Sequence, residues 1–246
     1  MVIELKTAFG ASLLAYWNGD LSSKHIIERE DGYKKEAEVR FLFEEPTKWM
    51  KEEIEALNHI PPESIILDVG CGVGRVATYL QEKGHQVVGL DSCPEAMEIT
   101  KARGLKLTYT ANICILDEPP LFNVFHVILM MGNNLGVCGE EKKTEELLIR
   151  LNSFLKKEGL LIFSCRDPFH TDNPIHLEYH EKNRQKGRSP GLVRIRLVYK
   201  ELRDEWWDLL LLDTVTAEKI VKKAGFTKIV LIQPKNSPIY YFVAQK

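Results

Sequence analysis

From Ile65 onward the chain alternates short apolar runs with longer amphipathic ones, and glycines stand where one gives way to the next. Parallel strands buried on both faces read as apolar runs, and the crossover helices between them read with a 3.6-residue period, so this alternation marks βαβ units. The apolar runs predict seven strands, at 65–69, 86–90, 105–110, 124–131, 159–165, 226–232 and 239–244. Helices are predicted over 74–83, 94–103, 140–157 and 216–224; Pro94 opens the second, and Gly84, Gly104, Gly159 and Gly225 act as stops. Only Gln233 to Pro238 separates the last two strands, too little for a crossover helix, so those two form an antiparallel hairpin. The expected fold class is α/β, a mostly parallel sheet with one reversed strand.

The first strand runs into Ile65-Ile-Leu-Asp-Val-Gly-Cys-Gly-Val-Gly-Arg75, which holds three glycines at alternate positions and then enters a helix. Glycine lets the backbone turn tightly there and lets a ligand approach main-chain atoms that a Cβ would shield. The loop reads as a cofactor cradle. A dinucleotide fingerprint needs G-x-G-x-x-G and a P-loop needs G-K-[ST]; counted from Gly70, the third glycine falls one position early, and no Gly-Lys-Ser/Thr occurs. Both phosphate patterns are therefore disfavoured, and with them a nucleotide-dependent oxidoreductase. Asp91 ends the second strand, where a carboxylate can accept from both hydroxyls of a ribose.

The spacing Asp68-x-Gly70-x-Gly72-x-Gly74 resembles that of the class I S-adenosylmethionine (SAM)-dependent methyltransferases, over about residues 65–165 and the terminal hairpin. The resemblance implies a Rossmann-like seven-stranded sheet in the order 3-2-1-4-5-7-6, with helices on both faces. It implies SAM as cofactor and S-adenosylhomocysteine (SAH) as product. Carried over residue by residue, it places cofactor contacts at Asp68, Gly70, Cys71, Gly72, Gly74, Asp91, Ser92, Asn112, Ile113 and Met131, with Asn112 and Ile113 on the adenine side. Met130-Met-Gly-Asn-Asn-Leu-Gly136 falls where the family places the methyl group and acceptor, so Asn133 and Asn134 are candidates for orienting the acceptor. The Asn/Asp-Pro-Pro-Tyr segment of enzymes that methylate exocyclic base or glutamine amides is absent, and His126 stands where the family commonly has Asp.

Two regions break the βαβ rhythm. Residues 1–60 read as an N-terminal helical cap or lid, with an amphipathic helix over 47–59 and Tyr16, Trp17 and Tyr33 as covering aromatics; residues 166–213 read as a substrate-side insertion in an otherwise single SAM-binding domain of residues 1–246. Val193, Ile195, Leu197 and Tyr199 alternate with Arg194, Arg196 and Val198 as a half-buried strand would, and residues 206–212 can return as its partner. Eight Lys and Arg against three Glu lie between Glu178 and Arg203, so Arg194 and Arg196, with Trp207, are candidates for holding an anionic acceptor. His176 and His180 would share a helix face and are candidate basic groups, with Asn134, for a catalytic role; their order lacks the H-E-x-x-H arrangement, so no metal is expected.

Methyl transfer from a sulfonium needs in-line alignment and exclusion of water, and it needs a base only where the acceptor must lose a proton. The expected activity is transfer to a small, polar or anionic metabolite. An RNA methyltransferase using the basic insertion and a non-catalytic SAM-binding regulator are the alternatives. The 33 Lys and Arg against 35 Asp and Glu give a net charge of -2, so nothing global commits the chain to nucleic acid. No apolar run approaches a membrane span and no leader pattern is visible, which reads as cytoplasmic, as monomer or homodimer. Five cysteines more than twenty residues apart read as buried, reduced thiols.

Overall fold

The computed structural model describes residues 7–115 and 123–246. In chain order the elements are α1 (Ala8–Trp17), β1 (Lys24–Arg29), β2 (Lys34–Glu38), α2 (Lys51–Leu57), β3 (Ile65–Val69), α3 (Arg75–Glu82), β4 (Gln86–Asp91), α4 (Pro94–Ala102), β5 (Leu107–Thr110) and β6 (Phe125–Met130). They continue with α5 (Glu141–Phe154), β7 (Leu155–Arg166), α6 (Pro174–Gln185), β8 (Leu192–Tyr199), β9 (Leu202–Arg203), β10 (Trp207–Leu210), α7 (Thr214–Lys223), β11 (Thr227–Ile232) and β12 (Ile239–Gln245). Short 3-10 turns at Val39–Leu42, Pro46–Lys48, Ile113–Ile115 and Asn134–Gly136 join them.

Seven strands form the central sheet, in the order β11-β12-β7-β6-β3-β4-β5. Numbered from the first of the seven, this is 3-2-1-4-5-7-6, and β12 alone runs against the rest, pairing antiparallel with both β7 and β11. The sheet is buried on both faces. Leu67, Ile128, Leu161 and Phe163 meet α5 and α7 on one side, while Ile66, Val127, Leu129 and Ile162 meet α2 and α3 on the other. Such two-sided burial explains why these strands read as continuous apolar runs rather than as alternation.

One boundary moved. The helical pattern predicted to reach residue 157 stops at Phe154, because Leu155, fully buried, pairs with Phe125 and opens β7. A strand partner outweighs local helical propensity there. The Lys246 ammonium then closes the freed helix end, donating to the carbonyls of Asn152 and Leu155, both at 2.7 Å.

The N-terminal region is less helical than predicted. It contributes the hairpin β1–β2, and β1 pairs with β8 of the insertion to give a second, antiparallel sheet in the order β10-β8-β1-β2, with β9 on β8. The two segments outside the βαβ rhythm therefore build one body. The predicted alternation of Val193 to Tyr199 and its return strand hold: β10 pairs with β8 from Trp207 opposite Ile195. One face of this sheet carries α1 against Leu197 and Tyr199, and α6 against Val193 and Ile195. Thr7 and Asp204 cap α1, and Asn173 ahead of Pro174 caps α6.

The cysteine expectation fails at one pair. Cys114 and Cys138 form a disulfide with their Cα atoms 5.7 Å apart, while Cys71, Cys93 and Cys165 are free and buried. Spacing excludes only local pairs; here the chain after β5 returns over the sheet edge to the segment after β6, where the Ile113 carbonyl also accepts from Arg150. Among the described residues no helix is long and apolar enough to cross a membrane.

Candidate cofactor and acceptor site

The carboxyl ends of β3, β4, β5 and β6 meet at one edge of the sheet, where open α/β sheets bind ligands. Gly70, Gly72 and Gly74 all have left-handed backbones, at φ 73°, 55° and 75°. Their surroundings differ. A Cβ on Gly70 would overlap the Asn134 amide, and one on Gly74 would come within 2.9 Å of Thr100 Cγ2, whereas a Cβ on Gly72 would meet nothing within 4 Å. Gly70 and Gly74 thus allow the protein to pack on itself, and Gly72 leaves its backbone open to a ligand. Gly132, at φ 70° after β6, is open in the same way.

The loop is held from several sides. Asp91 Oδ2 accepts from Gly72 N–H at 2.9 Å and Oδ1 from Cys93 N–H at 2.8 Å; Thr100 Oγ1 donates to the Gly72 carbonyl at 2.8 Å. Burial raises Asp91 above the usual carboxylate range despite these backbone N–H groups. Each oxygen keeps a lone pair, which is what two ribose hydroxyls require. Ser92 beside it is exposed, and Cys71 is buried with its thiol against Met97 Sδ. Beneath the loop, Asp68 is buried and pushed up to about 7, first by desolvation; the Arg75 charge opposes the shift, and Asp91 and Glu53 add to it. Arg75 is itself paired with Glu53 at 2.6 Å and stacked on Trp49.

Asn112 is exposed, with its Oδ1 accepting from Cys114 N–H at 3.0 Å, an Asx turn that presents the start of the segment after β5. Ile113 is buried in the core. Met131 is buried as well, packed in the face shared with α2 and α3.

The turn after β6 is welded to its neighbours. Asn134 Nδ2 donates to the carbonyls of Gly70 and Val69 at 2.9 and 3.2 Å, so its amide bridges the glycine loop to this turn. Asn133, at φ 71°, donates its N–H to the Ser164 carbonyl at 3.1 Å, and its Oδ1 accepts from Arg166 N–H at 2.7 Å. Gly132 N–H donates to Ser164 Oγ at 2.8 Å. Both asparagines named from the sequence lie at this edge, with side chains that fix the backbone around it.

The insertion's candidates lie elsewhere on the second sheet. Arg194 pairs with Asp208 at 3.4 Å; Arg196 pairs with Glu28 at 2.7 Å and lies over Trp206; Lys182, Arg184 and Arg188 face Glu178, Glu181 and Glu30. Five of the eight cations of the basic run thus have carboxylate partners in place. Trp207 packs between α1 and α6.

His176 and His180 do share α6. His180 is buried with its ring edge-on to Phe169, and burial lowers its basicity. His176 Nδ1 lies 3.0 Å from Arg29 Nη1, an obligate donor, so the ring nitrogen accepts and the imidazole proton sits on Nε2. Burial and then the Arg29 charge lower its basicity. In this state it offers a hydrogen-bond donor rather than a base. Tyr33 packs edge-on against His176, while Tyr16 and Trp17 stack on Phe43 over the packing of Val73 and Cys93. The N-terminal segment therefore covers the outer side of the glycine loop. Glycine-loop spacing made the cradle readable from sequence; Arg29, Ser164 and Arg166 carried no motif and emerge only from contacts.

Residues 66–159 match the methyltransferase-domain family, and the sheet order around them is that of the class I SAM-dependent methyltransferase fold. A SAM-dependent methyltransferase from Bacteroides fragilis, solved with SAH, superposes with a TM-score of 0.79 at 22% identity, covering 97% of this chain and 94% of that one. The chain is 35% identical over 75 residues to the 2-heptyl-1-hydroxyquinolin-4(1H)-one methyltransferase of Mycobacteroides abscessus, covering 29% of this chain and 33% of that protein. It is 29% identical over 120 residues to the ubiquinone biosynthesis O-methyltransferase of Rickettsia conorii, covering 47% and 39%. The chain thus spans less than half the length of these two curated relatives.

Proposed function

We propose that this chain is a SAM-dependent methyltransferase that transfers a methyl group to a small, polar or anionic metabolite. The observation that carries the reading is the pair of left-handed glycines, Gly72 and Gly132, whose backbones stand open on the two sides of the sheet edge while Gly70 and Gly74 are filled by protein. A cradle of that form suits a ligand laid across the edge against main-chain atoms. When bound, SAM supplies an electrophilic methyl on a sulfonium.

The chain's own residues do the rest. Asp91 accepts from the ribose hydroxyls, Asn112 and Ile113 flank the adenine, and Asp68 lies beneath the glycine loop that receives the methionine end. The turn 131–134 positions main-chain atoms beside the methyl, and its rigidity comes from Asn133, Asn134 and Ser164. Rigid placement is the larger part of catalysis for an in-line displacement. His176, with its proton on Nε2, orients an acceptor by donation, which suits a nucleophile that needs no dedicated base. The second sheet and α6 close the acceptor side from water. We assign the protein to the cytoplasm as a monomer or homodimer, on the same reading.

The test is a thermal shift with SAM, SAH and NAD(H) in parallel. At 100 times its dissociation constant a ligand stabilises by about 2.7 kcal/mol, roughly 5–10 °C for a chain of this length. A shift with SAM and SAH alone is the expected outcome. A shift with NAD(H) alone refutes the cofactor reading, and a SAH shift without methyl transfer to any acceptor of a broad metabolite panel favours a regulatory SAM binder.

A further inference from the structure

Arg166 is the last residue of β7 and lies beside the turn that faces the methyl. Strand alternation puts it on the face of Ser164, whose hydroxyl holds Gly132, and opposite Cys165, which points into the core. Its own N–H is clamped by Asn133 Oδ1 at 2.7 Å. The side chain is half-buried, and among the described residues no hydrogen bond or ion pair engages its guanidinium.

The other candidate arginines are already committed. Arg29 gives Nε and Nη2 to the two oxygens of Asp31 and Nη1 to His176; Arg194 and Arg196 go to Asp208 and Glu28. Asp167, next in the chain, uses Oδ1 to cap Phe169 N–H. Burial first, and then the Arg29 charge, lower the basicity of His176; Asp31 opposes them and Arg166 adds to the lowering. A partly desolvated guanidinium with no anion costs free energy until one arrives. One guanidinium offers a planar two-N–H fork with a single positive charge, matched in shape and charge by a carboxylate.

We propose that the Arg166 guanidinium anchors the carboxylate of the methyl acceptor, so that the substrate class is small carboxylic acids rather than neutral molecules or polyanions. The inference rests on the methyltransferase reading and moves the anion subsite from Arg194 and Arg196 to the end of β7.

The experiment uses the full chain saturated with SAH and follows melting temperature on adding acetate, glycine, malonate or benzoate, each beside its neutral amide at equal ionic strength, with inorganic phosphate as a separate arm. The expected result is a rise with at least one carboxylate and none with its amide. That response falls at least tenfold in apparent affinity in Arg166→Gln, returns in part in Arg166→Lys, and persists in Arg194→Gln/Arg196→Gln, while all variants keep the wild-type SAH shift. A SAH shift with no carboxylate response, a response equal in Arg166→Gln, or a response to phosphate alone overturns the anchor. Absence of the SAH shift in the wild type overturns the cofactor reading beneath it.

Discussion

Replacing Gly72 by Asp separates a ligand-facing glycine from a packing one when it is set beside Gly70→Ala. At Gly72 a Cβ meets nothing within 4 Å, and φ is 55°, a region that Asp tolerates better than most residues, so the fold loses only about 1 kcal/mol, or about 2–4 °C in Tm. At Gly70 the added methyl displaces the Asn134 amide, which donates to the carbonyls of Val69 and Gly70. Two hydrogen bonds at about 1 kcal/mol each, with about 1–2 kcal/mol for the left-handed backbone, give a loss of roughly 3–4 kcal/mol and about 6–16 °C. Differential scanning fluorimetry with and without SAH reads both quantities. Gly72→Asp should melt near the wild type and show no SAH shift, because the carboxylate stands where the ligand approaches the backbone. A stable Gly72→Asp that binds SAH as the wild type does, or equal destabilisation by the two substitutions, refutes the assignment of roles within the loop.

Asp68 holds its proton to about pH 7 in the fold and to about 4 in the unfolded chain. The folded state therefore binds more protons between those values, so this group's contribution is full below pH 4 and is lost as the pH rises to 7. Urea unfolding of Asp68→Asn should lack that fall, and at pH 8 the variant should gain on the order of 3–4 kcal/mol over the wild type; parallel pH profiles would refute the assignment. His126 Nδ1 accepts from Ile65 N–H at 2.8 Å, which leaves the proton on Nε2, facing the Lys156 ammonium at 3.0 Å. His126→Asp keeps an acceptor the same number of bonds from the backbone and adds an ion pair, so Tm should rise by about 2–4 °C, for about 1 kcal/mol; an unchanged or lower Tm counts against this account.

The sequence by itself determined the elements whose reasons are local. Two-sided burial writes a parallel strand as an apolar run, a left-handed turn writes itself as glycine, and a short connection allows only a hairpin, so the seven strands, the closing hairpin and the cradle from Asp68 to Asp91 were legible, while the strand order followed from the family resemblance. The second sheet was legible in halves: alternation from Val193 to Tyr199 showed a strand, but its partner β1 lies more than 150 residues away, and no local pattern encodes such a pairing. The Cys114–Cys138 bond likewise joins segments 24 residues apart, and no local pattern encodes it. Charge on the insertion could be counted but not its neutralisation, because Glu28 and Asp208 reach Arg196 and Arg194 only across strands. Tertiary structure alone decided which cations are spoken for and which nitrogen of His176 carries its proton. Both are properties of what a side chain touches, and contact between distant segments is settled by packing.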